Sequence, residues 1–196
     1  MRSTVIYCLA MLLMWCCTQP RHYDILIKDG NIFDGTGSPS VNADIGINGD
    51  TIAAIGDLSD AVAILKIDAK GMAVAPGFIN MLSWATESLI QDGRSQSDIR
   101  QGVTLEVMGE GFSMGPLNES MKQEMLEDQQ DIVFDIEWST LGEYLEYLEK
   151  KGVSTNIASF VGNASLRQYV MGYENRVVDE NNRWCYGRMQ FSSFHA

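Results

Sequence analysis

The feature that most constrains this chain is a change of pattern at Pro76-Gly77. Before it, short apolar stretches with a period of two are separated by glycine turns. Residues 23–28 are rich in β-formers and end at Asp29-Gly30-Asn31, and residues 43–47 alternate. Asn48-Gly49 is a strong short-range hairpin signal, because both residues tolerate the positive φ that a tight turn between twisted strands demands. The return strand is 51–55, closed by Gly56, and residues 63–68 and 72–74 supply further strands. Short strands at this spacing predict a small β-sandwich module, or an open barrel, over residues 21–75.

After Pro76-Gly77 the chain alternates between apolar runs and helical periodicity. Residues 78–82 form a continuous apolar run apart from Asn80, the signature of a parallel strand covered on both faces. A helix follows, with Gly102 as its stop. Residues 103–108 are the next strand, ending in the loop Gly109-Glu110-Gly111. Residues 118–128 read as a polar helix and 131–136 as a short extended stretch. Thr140 and Glu143 have capping-box spacing, and Leu141, Tyr144, Leu145 and Leu148 follow at helical intervals. Residues 157–161 form a third buried strand, after which Asn163 is placed to cap a helix over 164–170. Repeated strand–helix units imply a parallel sheet. The predicted fold class is therefore α/β, with a small β-sandwich module followed by an incomplete (β/α)8 TIM-type barrel over residues 76–178. Such a barrel takes about 250 residues when closed, so only about its first three units fit here. Residues 179–196 carry neither period and form an atypical tail.

Charge and cysteine usage narrow the function. A formal net charge of −12 with no cluster of Lys or Arg excludes nucleic acid as a partner. The four cysteines, Cys8, Cys16, Cys17 and Cys185, form neither a disulfide framework nor a CxxC metal pair, and His22 and His195 stand near opposite ends. Arg2 and the apolar run 5–15 form a secretory signal rather than a membrane span, which needs about 20 apolar residues. The expectation is export, to the periplasm or to a membrane surface, with residues 1–20 as signal and Cys16-Cys17 as the place of lipid attachment.

Taken in order, several fragments carry a family resemblance. Residues 23–30 with Asp34-Gly35-Thr36-Gly37, residues 49–56, and residues 67–71 with 75–80 resemble the opening of amidohydrolase-superfamily enzymes. Residues 99–104 and 109–113, with Phe160-Val161-Gly162, Leu166-Arg167 and Val170-Met171-Gly172, resemble the N-acyl-D-amino-acid deacylase (D-aminoacylase) branch. The resemblance runs from Tyr23 to Arg176 and marks the chain as an N-terminal fragment of such an enzyme. It implies hydrolysis of the amide C–N bond of a small N-acyl amino acid by water activated on a metal, zinc by family precedent.

The resemblance also implies where the metal would sit, and the residues there depart from the family. A His-x-His pair is expected at the end of the first barrel strand, but Leu82-Ser83-Trp84 stand there, and neither Leu82 nor Trp84 offers a lone pair to a cation. Where the branch often carries a metal-binding Cys, this chain has Glu110, the one candidate metal ligand. A His after the third strand is Asn163 here. No GxSxG elbow surrounds Ser83, Ser113 or Ser159. Glu106 and Glu110 lie four apart at a strand end, a spacing that places both on one face; they read as solvated surface acids. The expectation is thus an enzyme fragment that is catalytically impaired by itself, with truncation or a frame change near Val178. The alternatives are a non-catalytic binding module derived from the barrel, and a single-metal branch in which Glu110 acts with histidines further along a longer chain.

Overall fold

A computed structural model describes residues 20–180 and 182 of the chain. The signal and lipid-attachment segment before Pro20, and nearly all of the tail after Glu180, lie outside the described residues. The chain divides into two compact units at Pro76/Gly77.

The first unit is a single mixed sheet. Its strands are β1 (His22–Ile32), β2 (Val41–Asn48), β3 (Thr51–Gly56), β4 (Val62–Asp68) and β5 (Ala73–Val74), ordered β3-β2-β1-β4 with β5 also pairing β1. A hairpin forms here, one residue later than the Asn48-Gly49 signal predicts: Asn48 pairs with Thr51, so Gly49 and Asp50 make the turn that joins β2 to β3 antiparallel, with Gly49 at φ 59°. β4 and β5 both run parallel to β1. The sandwich expected over residues 21–75 is therefore one sheet among the described residues, because β4 extends the β1 edge instead of starting a second layer. Leu26 is fully buried and packs with Tyr23, Leu58 and Ala61. Gly46 is required here: a Cβ would stand 2.6 Å from the Tyr23 ring, so glycine makes room for the aromatic side chain. The buried Asp44 accepts from the backbone N–H groups of Asp29 and Leu58, tying the irregularity in β1 to the loop after β3.

The second unit carries three parallel strands, β6 (Phe78–Asn80), β7 (Val103–Met108) and β8 (Asn156–Ser159), in that order. Between β6 and β7 lie α1 (Thr86–Gln91) and α2 (Gln96–Ile99). Between β7 and β8 lie α3 (Glu119–Glu127) and α4 (Leu141–Lys151), and α5 (Asn163–Met171) follows β8. The capping box forms, with Thr140 Oγ1 accepting from Glu143 N and the Glu143 carboxylate accepting from Thr140 N. The backbone N–H groups of Ser139 and Thr140, both donating to Glu143 Oε2, hold the Glu143 carboxyl below its ordinary range. α3 is likewise capped by Asn118, which accepts from Met121 N.

Three local expectations are corrected. Residues 131–136 form no strand; Phe134 is buried and Ile132 and Ile136 pack against the core from irregular chain. Gly162 stands at the N-cap of α5, and Asn163, expected at that position, is instead the first residue inside the helix. The run 78–82 is not covered on both faces. Regular strand ends at Asn80, and Phe78, Ile79, Met81 and Leu82 are all more than half exposed. β6 is an edge strand, and the described elements cover only part of it.

The core of this unit gathers on α4. Tyr144 and Leu148 lie one turn apart and pack with Leu89, Met108 and Trp138. Trp138 is sealed between rings, with centroids 6.2 Å from Phe134 and 5.1 Å from Tyr144 and Tyr147, and its indole N–H donates to Met114 O at 2.7 Å. The Tyr144 hydroxyl donates to Thr86 O. Burial, then the nearby Glu106 and Glu87 carboxyls, raise its phenol well above the ordinary range, so it stays a neutral donor.

Two glycines let the strand-end loops lie backbone against backbone. Gly109 has φ 83°, and a Cβ on it would collide with the Phe160 carbonyl. A Cβ on Gly162 would collide with the Gly111 carbonyl. Gly109→Ala should destabilise the protein by about 1–3 kcal/mol from backbone strain alone, before any cost of separating the loops, and a lowered urea midpoint checks it. Thr140→Ala should cost about 1 kcal/mol through loss of the cap, measured the same way. Because the Glu143 carboxyl is depressed on folding, its share of the cap is present above the unfolded carboxyl pKa and fades as pH falls through the folded value.

Candidate active-site cavity

In a parallel sheet the carboxyl ends of the strands point to one edge, where loops converge and ligands usually bind. The loops after β6, β7 and β8 meet in this way. Ser83 N donates to Val107 O at 2.9 Å, Phe160 N to Met108 O at 2.9 Å, and Ala164 N to Gly111 O at 2.8 Å. Ser113 and Ser165 lock the next layer: Ser113 N donates to Ser165 Oγ, and Ser113 Oγ accepts from Gly162 N. Neither serine is left as an unoccupied nucleophile.

Over this edge lies a cavity of about 350 Å³. Leu82 and Trp84 after β6, and Phe112 after β7, form its apolar side, and α3 contributes Met121 and Met125. Among the described residues its ionisable lining is Glu87, Glu110, Glu124, Asp128 and Tyr173, with no Lys, Arg or His. Glu124 accepts from Gln168 Nε2 at 2.8 Å and from the Tyr173 hydroxyl at 2.9 Å, which closes one wall. Burial and the hydrogen bond to Glu124 raise the Tyr173 phenol above its usual value.

The structure brings Leu82, Trp84 and Glu110 to the same cavity, as the motif positions imply. Glu110 is exposed, on a loop bounded by two positive-φ glycines. Its donor set does not extend into a metal centre: among the described residues no group of three or more His, Cys, Asp or Glu could hold a metal ion. The described residues therefore do not complete a metal site by themselves.

Glu106 corrects the surface-acid reading. It is fully buried, and its carboxylate accepts from Ser83 Oγ at 2.6 Å, Ser95 Oγ at 2.7 Å and Thr155 Oγ1 at 2.9 Å. Glu110 lies beyond the end of β7, so strand alternation does not carry from one to the other and the two acids do not form a pair. Sequence reasoning missed this cluster, although a lone carboxylate inside the run 103–108 was the available signal. The Met-rich wall from α3 was also missed; in sequence its methionines look like scattered core.

No protein-family model matches the chain. The D-aminoacylase of Alcaligenes xylosoxydans xylosoxydans is 37% identical over 153 residues, which are 76% of this chain and 31% of that protein. A crystal structure of a D-aminoacylase described as defining a novel subset of amidohydrolases matches with a TM-score of 0.69 and 33% identity, over 83% of this chain and 34% of that one. The N-acyl-D-glutamate deacylase of Bordetella bronchiseptica, solved with zinc and a phosphonate mimic of the tetrahedral intermediate, matches with a TM-score of 0.76 and 27% identity, over 90% of this chain and 37% of that one. The chain spans about a third of the length of these relatives. With the strand-end cavity at the positions its motifs mark, this chain is homologous over that third to the N-acyl-D-amino-acid deacylases of the amidohydrolases.

Proposed function

We propose that the protein is a hydrolase acting on the amide C–N bond of a small N-acylated D-amino acid, and that residues 1–196 alone are catalytically impaired. The first part is supported by relatedness to D-aminoacylase and to a deacylase that binds a tetrahedral-intermediate mimic. The second is carried by one observation: Leu82 and Trp84 line the cavity where the family's first pair of metal ligands is expected, and neither offers a donor. The three parallel strands and their helices are read as the first part of a (β/α)8 barrel, which further strands would close. Zinc is the metal by analogy with the Bordetella enzyme, and Glu110 is the proposed ligand from this chain. A single carboxylate binds zinc weakly, so histidines from outside the described residues would have to complete the site. Export and lipid attachment through residues 1–20 remain part of the proposal.

The cavity charge favours a second reading alongside the first, a non-catalytic binding module. An N-acyl amino acid carries a carboxylate, and among the described residues four acidic side chains and no basic one line this cavity. Either a cation from elsewhere meets that carboxylate, or the ligand is of another kind.

The test is zinc content and hydrolysis of a panel of N-acetyl-D-amino acids, with L-enantiomers as controls, on the purified chain supplied with zinc. The expected result is neither stoichiometric zinc nor turnover for residues 1–196. Stoichiometric zinc lost in Glu110→Ala, together with D-selective turnover, would overturn the proposed impairment. Retained zinc in Glu110→Ala would overturn Glu110 as its ligand.

A further inference from the structure

We propose that Glu106 is a positioning residue: its buried carboxylate fixes the turn at residues 82–84, and so sets where Leu82 and Trp84 stand in the cavity. The inference concerns the build of the site and holds whatever chemistry the cavity performs.

The geometry assigns each carboxylate oxygen a task. Oε2 takes the Ser83 hydroxyl at 2.6 Å, and Oε1 takes the hydroxyls of Ser95 and Thr155. These donors come from three different segments: the loop after β6, the loop between α1 and α2, and the residue before β8. Ser83 is held three ways, since its N–H also donates to Val107 O and its Oγ accepts from Ala85 N. It is buried, whereas its neighbours Leu82 and Trp84 are 53% and 72% exposed. A turn with two large exposed apolar side chains has little packing to hold it. The pin at its centre therefore decides its course.

The other arm has the same character. Ser95 adopts φ 43°, a left-handed conformation uncommon for a residue with a Cβ. The turn leading to it is shaped by Asp92, which accepts from the backbone N–H and guanidinium of Arg94, bonds that draw its carboxyl down to about 2. The Ser95 hydroxyl then reaches Glu106 from that conformation. Among the described residues Glu106 makes no ion pair within contact distance, and hydroxyls are its hydrogen-bond donors. A hydroxyl donates along one direction, so three of them on one carboxylate fix three segments relative to β7.

The test uses the full chain labelled with fluorotryptophan, which gives one fluorine resonance for each of its four tryptophans. Trp84→Phe and Trp138→Phe assign the two that matter. Trp84 reports the turn, and the fully buried Trp138 reports the general core. Glu106→Gln keeps the side-chain shape but replaces one acceptor oxygen with an N–H₂ donor, so at least one hydroxyl loses its partner. The expected result is a Trp84 resonance shifted or broadened by more than its linewidth, with the Trp138 resonance unmoved. An unmoved Trp84 resonance in a folded Glu106→Gln protein would overturn the proposal. So would equal displacement of both resonances, which would mark Glu106 as general core. If Glu106→Gln does not fold, Ser83→Ala and Thr155→Ala decide. The first removes the Oε2 arm together with the bond from Ala85 N and must displace Trp84, and the second, which touches neither, must displace it less; the reverse order, or no displacement in Ser83→Ala, sinks the idea.

Discussion

The second unit depends on how a carboxylate is accommodated inside a parallel sheet. Glu106 stands in the middle strand with no exposure, where an unsolvated carboxylate would be costly without compensation. Compensation comes from hydroxyls, which are short and can be supplied by loops without breaking the strand ladder. A lysine or arginine partner would need a long side chain threaded through the same core. Because the hydroxyls sit at positions 83, 95 and 155, satisfying this one group pulls the connections on both sides of β7 into register. Tyr144 lies close enough to feel its field, and on the other side Tyr144 bonds the backbone where α1 begins. Burial, hydrogen bonding and loop placement are thus one constraint here.

The loops at the carboxyl edge are set by a complementary constraint, which is space. Gly109 and Gly162 allow the backbone of one loop to lie on the next, and Ser113 and Ser165 then exchange hydrogen bonds across the contact. The result is a cavity whose floor is backbone packed on backbone. Side chains that project above it, such as Glu110 and Phe112, are displayed by backbone geometry and not by their own packing. Loops held on a rigid scaffold are where chemistry is usually placed. In this chain the same loops display apolar groups where donors are expected.

How far the sequence foretold this depends on whether the deciding partners are local. The hairpin is fixed within four residues, although its turn falls on Gly49-Asp50 and not on Asn48-Gly49, and Thr140 with Glu143 fixes the start of α4 within one turn, so both elements were legible. The pairing of β4 with β1 was not, because a period of two gives the buried face of a strand and says nothing of its neighbour or direction. The cover on β6 was misjudged because a continuous apolar run implies two covered faces, and what covers a face is set by distant segments. Glu106 failed for the same reason: its donors lie 11, 23 and 49 residues away. The resemblance placed Leu82, Trp84 and Glu110 at one site, but the acidity of the surrounding wall is not visible in any motif.

That acidity bears on which of the two functional readings can hold. A carboxylate-bearing ligand entering a cavity lined by Glu87, Glu110, Glu124 and Asp128 meets like charge, and apolar walls such as Met121 and Trp84 do little to screen it. In an amidohydrolase a divalent cation would offset part of this field, and it needs ligands that Leu82 and Trp84 do not provide. The hydrolytic reading therefore requires residues outside those described to contribute the metal donors beyond Glu110 and a cationic side chain for the ligand carboxylate. The binding-module reading requires neither, but it then needs a neutral or cationic ligand. The two readings differ in the sign of the charge that the cavity must accept, and the four carboxylates that separate them are already in place.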